Sequence, residues 1–189
     1  MKLLRIENKE SGRYLKKYEL VYENKAGNEK HYEIVSHHEI TKPEDLGTMT
    51  SGISMVVIKD GCMLLLKEFR MGVNREIYNL CAGMIEKDET IEACIQRELY
   101  EETGLSVKRI IDILPPSFAA VSISDIKNRL VILEAEGKFS DHTSANEKIQ
   151  AAFYNKKECE ELLRTAEFSS RCQAMVYFFA KNAFDVLDK

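Results

Sequence analysis

A chain of 189 residues, 44% hydrophobic and 31% charged, has enough apolar material for one ordinary core and too few glycines (9) and prolines (3) for a low-complexity chain. A formal charge of −4 carries no basic field, which argues against a nucleic-acid partner. No run approaches the eighteen or so apolar residues of a membrane span, and the start at Met1-Lys2-Leu3-Leu4-Arg5 lacks a signal-type apolar stretch, so a cytoplasmic protein with no membrane partner is expected.

In chain order, Leu3–Ile6, Tyr14–Tyr22 and Lys30–Val35 read as short strands, with Asn24-Lys25-Ala26-Gly27-Asn28 as a hairpin turn. Residues 1–48 are therefore expected to form a β-rich extension, too thin to stand alone. Residues 49–189 are expected to form the main domain. Ile53–Lys59 and Met63–Phe69 read as strands joined by a tight Asp60-Gly61 turn, and Arg75–Leu80 as another. Asp88–Thr103 has helical periodicity and stops at Gly104, a residue suited to the left-handed position after a helix. Val107–Leu114, Leu130–Glu136 and Ile149–Tyr154 read as strands. Lys156–Arg164 and Ser170–Leu187 read as helices, the last capped by Ser169 or Ser170. Strands and helices mix without regular alternation, which predicts an α+β or α/β/α domain.

The five cysteines are scattered with no CxxC spacing, so neither a disulfide framework nor a structural zinc site is expected. His37-His38 reads as a solvated strand end rather than a ligand pair.

One stretch concentrates the chemistry. Glu98, Glu101 and Glu102 fall at i, i+3 and i+4, so three carboxylates share one helical turn. They sit near the helix C-terminus, where the helix dipole also disfavours negative charge. Ile91, Ile95 and Leu99 form a separate apolar stripe that can anchor the helix. Arg97 can pair with Glu101, but one guanidinium cannot neutralise three acids. A hard divalent cation could. Glu89, near the helix start, is explained by the dipole alone.

From Gly83 to Leu105 the chain resembles the Nudix box, the pattern Gly, five residues, Glu, seven residues, Arg-Glu, aliphatic, any residue, Glu-Glu, any residue, Gly, aliphatic. The nine specified positions are met by Gly83, Glu89, Arg97, Glu98, Leu99, Glu101, Glu102, Gly104 and Leu105. Average residue usage puts a chance match below roughly one in ten million. The resemblance implies a Nudix-type α/β/α sandwich with a mixed sheet and the small N-terminal β-rich extension attached. It implies hydrolysis of a nucleoside diphosphate linked to another group, with Mg²⁺ or Mn²⁺ as cofactor. It assigns the metal to Glu98, Glu101, Glu102 and the Ala82 carbonyl. Arg97 would hold a catalytic carboxylate, and Glu98 or Glu101 could activate water.

Lys67-Glu68-Phe69-Arg70 followed by Arg75-Glu76-Ile77-Tyr78-Asn79-Leu80-Cys81-Ala82-Gly83 resembles the ADP-ribose pyrophosphatase branch. That branch typically shows Gln-x-Arg and then Glu-x-Pro-Ala-Gly. Asn79 stands here for the Glu and Cys81 for the Pro. The branch implies a homodimer built on the N-terminal strands, and substrate contacts at Arg70, Arg75, Ala82 and Gly83. It also implies a loop carboxylate, matched by Glu147, near the metals or the water. Ala120 stands where the branch carries a Pro, and Ala145 where it carries an earlier loop Glu. The leading expectation is cleavage of ADP-ribose or a related nucleoside diphosphate sugar to a nucleoside monophosphate and a sugar phosphate. A non-catalytic nucleotide-sugar-binding module and a housecleaning hydrolase of other nucleotides are the alternatives. Phe69, Tyr78 and Phe118 are expected in the core, and Tyr100 is expected to pack away from the acids.

Overall fold

The computed structural model describes residues 2–140, 142 and 148–184. Its strands are β1 (Lys2–Ser11), β2 (Lys16–Glu23), β3 (Glu29–Ser36), β4 (Thr50–Lys59), β5 (Cys62–Arg70), β6 (Arg75–Asn79), β7 (Cys81–Met84), β8 (Ser106–Ile113), β9 (Ser117–Phe118), β10 (Lys127–Glu136) and β11 (Ile149–Tyr154). The α-helices are α1 (Ile91–Thr103), α2 (Lys156–Thr165) and α3 (Ser170–Ala180), and Pro43–Asp45 forms a 3-10 turn. The chain has the α+β fold expected, with a mixed eight-stranded sheet and a separate three-stranded antiparallel sheet near its start.

Two compact units divide the chain. One comprises residues 1–52 with 115–129, the other 53–114 with 130–189. The first therefore recruits a later segment that sequence periodicity did not attach to it. Within it, β1-β2-β3 form the antiparallel sheet around Tyr18, Leu20, Ile34 and Ile40. Backbone bonding joins the later segment on: Val35 N–H donates to Ile123 O at 2.9 Å, and Tyr32 Oη donates to Ser122 O at 2.6 Å. His38 is not a solvated strand end. Its ring lies against Ser36 Oγ at 3.1 Å, Asp45 O at 3.3 Å and Asp125 Oδ2 at 3.4 Å.

In the second unit the sheet order runs β11-β5-β4-β10-β8. Both faces are covered, and β4 and β5 divide their side chains between them. Ile53, Met55, Val57, Leu64 and Leu66 enter one core with Cys94, Ile95 and Leu99 of α1. Val56, Met63 and Leu65 enter the other with Cys159 of α2 and Cys172, Val176 and Phe179 of α3. Burial on both sides is why these strands read as continuous apolar runs rather than alternating ones. The β4–β5 hairpin closes through Asp60 (φ 49°) and Gly61 (φ 71°), the positive pair that matches strand twist.

The expected helix from Asp88 begins three residues later. Asp88 has φ 63°, and Thr90 caps α1 by accepting from Ala93 N–H. The expected helix Ser170–Leu187 stops at Ala180, with Ser169 as its cap and Asn182 at φ 63°, while residues 185–187 lie outside the described ones.

Gly104 ends α1 in the left-handed region at φ 75°, and a Cβ there would meet Ser140 Oγ at 2.0 Å and Ser140 N at 2.6 Å. Both strain and collision oppose any side chain. Gly104→Ala is expected to cost about 2 kcal/mol or more in chemical denaturation, against a few tenths for an exposed helix substitution such as Gln96→Ala.

Candidate active site

Helix α1 brings the box acids to one place because Ile95 and Leu99 are fully buried and fix its rotation. Arg97 is the hub. Its Nε donates to Glu89 Oε1 at 2.8 Å and its Nη2 to Glu89 Oε2 at 2.9 Å, a two-point clasp on one carboxylate. The remaining donors reach Glu98 Oε1 at 2.7 Å, Glu101 Oε2 at 3.2 Å and the Met84 carbonyl at 3.0 Å. Glu89 also accepts from Glu86 N–H at 2.9 Å, tying the loop before the helix. Arg97 holds the Glu89 carboxyl down at about 2, and Glu89 in turn pushes the guanidinium pKa up.

Glu98 and Glu102 turn toward a cavity of about 470 Å³, lined also by Glu68, Phe69, Arg70, Met84 and Lys148. Desolvation raises the Glu98 carboxyl despite Arg97 beside it. Glu102 accepts from the Ala82 N–H at 3.1 Å, but surrounding protein strips most of its water, and Glu98 and Glu68 repel its charge. Its carboxyl is pushed up to about 8. The Cys81 thiol beneath is fully buried and pushed well up by desolvation and by Glu102. Gly83 makes the crowding possible: a Cβ there would fall 1.8 Å from Glu98 Cδ.

Among the expected site residues, the structure gathers Arg70, Ala82, Gly83, Glu98 and Glu102 at this cavity. Glu101 is half exposed and meets Arg97. Arg75 lies outside the lining and pairs with Glu167 at 2.8 Å. Glu147 is outside the described residues. Sequence reasoning quoted Glu68 within the Lys67–Arg70 stretch but gave it no role, whereas it is buried at 6% exposure on β5 and lines the cavity. It also placed Phe69 in the core, whereas Phe69 is 38% exposed and lines the cavity. Phe118 is likewise exposed, at 49%. Tyr100 stacks on His142 with ring centres 4.4 Å apart.

The donor set fits a hard divalent cation. Crowded carboxylates whose charged forms desolvation disfavours, as at Glu98 and Glu102, are what such an ion relieves, and Mg²⁺ keeps several waters rather than demanding an all-protein cage. Among the described residues, no three His, Cys, Asp or Glu side chains are grouped closely enough to hold a metal ion by themselves.

The NUDIX domain profile matches residues 49–172, and the chain belongs to the Nudix family. An NAD-capped RNA hydrolase NudC of Haemophilus influenzae is 38% identical over 58 residues, 30% of this chain and 22% of that protein. An ADP-ribose pyrophosphatase of Bacillus subtilis is 37% identical over 59 residues, 31% of this chain and 32% of that protein. The matched stretches thus span under a third of these relatives. A solved structure of an ADP compounds hydrolase shares the fold, with TM-score 0.72 at 18% identity, over 97% of this chain and 94% of that one.

A carboxylate whose folded pKa is raised is protonated in the folded state while the unfolded chain has already released its proton. Stability conferred by Glu102 is therefore full below about pH 4.5 and falls as pH rises toward 8, by at most roughly 5 kcal/mol. The metal-free protein is expected to melt lower at pH 8 than at pH 5, and Glu102→Gln to flatten that slope. At pH 8, Mn²⁺ should raise the melting temperature of the parent and do so far less for the variant.

Proposed function

We propose that the protein hydrolyses the pyrophosphate bond of ADP-ribose or a related nucleoside diphosphate sugar, releasing a nucleoside monophosphate and a sugar phosphate. The observation that carries this reading is the pairing, at one cavity, of the desolvated acids Glu98 and Glu102 with the cations Arg70 and Lys148. Glu98, Glu102 and the Ala82 carbonyl would hold Mg²⁺ or Mn²⁺, with Glu101 and Glu147 as further ligands. The ion, when bound, offsets charge on the bridging phosphates and acidifies a water for in-line attack. Arg97 fixes the Glu98 rotamer through its 2.7 Å bond, so that carboxylate needs no reorganisation when substrate enters. Glu98 or Glu101 would take the proton of the attacking water. Arg70 reaches the diphosphate from the cavity wall, and Arg75 would contribute only after leaving Glu167. The names of two relatives point to molecules with a pyrophosphate bridge, ADP-ribose and NAD, which supports this substrate class.

The test is a panel of ADP-ribose, NADH, a uridine diphosphate sugar and dGTP, with products separated after incubation in Mg²⁺ or Mn²⁺. ADP-ribose is expected to give AMP and ribose 5-phosphate, abolished by EDTA. Glu102→Gln should lower kcat about a thousandfold, the scale of losing a principal electrostatic group. Tight ADP-ribose binding without turnover would instead make the protein a nucleotide-sugar-binding module.

Homodimerisation through the N-terminal strands, in a cytoplasmic setting, belongs to the same proposal. The first unit leaves Tyr14, Tyr32, Phe118, Val121 and Ile123 exposed, apolar side chains that such an interface would cover. Light scattering after size exclusion is expected to give twice the 21.7 kDa chain mass, and Val121→Asp with Ile123→Asp to shift it toward the monomer.

A further inference from the structure

We propose that Glu68 is a positioning residue that aims Arg70 at the diphosphate, and that Asn79 and Ser169 fix Glu68 for that task. The proposal rests on the assignment of Arg70 to the diphosphate above. Glu68 is buried on β5 beside the acids of the cavity, where a carboxylate needs a structural reason to stay. The reason is a chain of short hydrogen bonds. Ser169 Oγ donates to Asn79 Oδ1 at 2.6 Å, and Asn79 Nδ2 donates to Glu68 Oε1 at 2.6 Å. The first link is itself anchored, since Ser169 caps α3 and its backbone N–H donates to Tyr78 O at 3.1 Å. With Oε1 tied, Oε2 faces Nη1 of Arg70 at 3.4 Å. Arg70 is otherwise an exposed side chain on a strand end, with many rotamers to lose on binding.

The branch pattern carries an amide at position 68 and an acid at position 79, and here the two have changed places. In this chain the acid and the amide form a hydrogen-bonded pair. Only with the acid at 68 does its charge stand next to Arg70 and inside the cavity lining. The exchange therefore hands Arg70 a fixed anionic partner, which restricts its sweep and presents its outer edge to the diphosphate.

The experiment compares the parent, Glu68→Gln, Arg70→Ala, their combination, and the exchange variant Glu68→Gln/Asn79→Asp. The readouts are ADP binding by calorimetry in Mg²⁺, KM and kcat for ADP-ribose, thermal melting, and Mn²⁺ binding by electron paramagnetic resonance. Glu68→Gln is expected to weaken ADP and raise KM about 5- to 10-fold with kcat within about twofold, and to add little in the Arg70→Ala background. The exchange variant rebuilds the buried pair without the charge beside Arg70, so its melting temperature should recover while ADP binding stays weak. Recovery of ADP binding along with melting would reduce the pair to a structural role and overturn the proposal. So would an undiminished effect of Glu68→Gln without Arg70, or about a tenfold loss of Mn²⁺ affinity in Glu68→Gln, which would place Glu68 among the ion's ligands. Failure of the parent to bind ADP would overturn it too. ADP binding without ADP-ribose turnover would defeat only the substrate reading, since the coupling is still read from calorimetry.

Discussion

The structure of the site turns on how far one guanidinium can be divided. Arg97 satisfies Glu89 with two donors and spends the rest on Glu98, Glu101 and the Met84 carbonyl. Glu102 accepts the Ala82 N–H, and desolvation dominates its titration. The acid that Arg97 cannot reach is thus the one most in need of an external cation. A second arginine placed at Glu102 would have settled the electrostatics and removed the site.

That division depends on the fold beneath it. Two apolar cores clamp the central strands from both sides, so the strand ends bearing Glu68, Arg70, Ala82 and Gly83 are held still. Ile95 and Leu99 set the rotation of α1, and Gly83 lets β7 approach until its backbone touches the Glu98 carboxylate. Crowding of like charges is tolerated because the packing that enforces it is worth far more than the repulsion. Each fully buried aliphatic side chain contributes about 1.5–3 kcal/mol, so the many in the two cores together outweigh the roughly 5 kcal/mol at most that a charged Glu102 costs.

What could be read from the sequence was whatever depends on local spacing. The i, i+3, i+4 acids, the anchoring stripe, the Gly104 stop and the Asp60-Gly61 turn all follow from periods of one helix or one hairpin, and each is where expected. Tertiary pairing was not legible. Nothing local to residues 115–129 ties them to β3, because the bonds joining Ile123 to Val35 and Ser122 to Tyr32 span about ninety residues. His38 read as exposed for the same reason, its partner Asp125 lying far along the chain. The start of α1 was misjudged by local rules themselves: Asp88 suits a first helical turn, yet Thr90 supplies the cap while Asp88 takes the left-handed bend before it.

Glu68 belongs to this second class, and it shows why departures from a family pattern repay a structural reading. Taken singly, Glu for Gln at 68 and Asn for Glu at 79 look like two unrelated lapses from the ADP-ribose branch. Across the β5–β6 pairing they become one compensated exchange, joined by a 2.6 Å bond. A buried carboxylate stripped of its amide partner would be costly, so Asn79 is what makes Glu68 tolerable at its place. Cys81, in place of the branch's Pro, lies under the same acids, with its Sγ 3.9 Å from the Glu98 carbonyl oxygen. The departures cluster around the acids that the box supplies and alter their hydrogen bonding while leaving the box intact. They therefore reshape the surroundings of Glu102, where Glu68 adds to the repulsion of its charge, without altering the nine residues of the box.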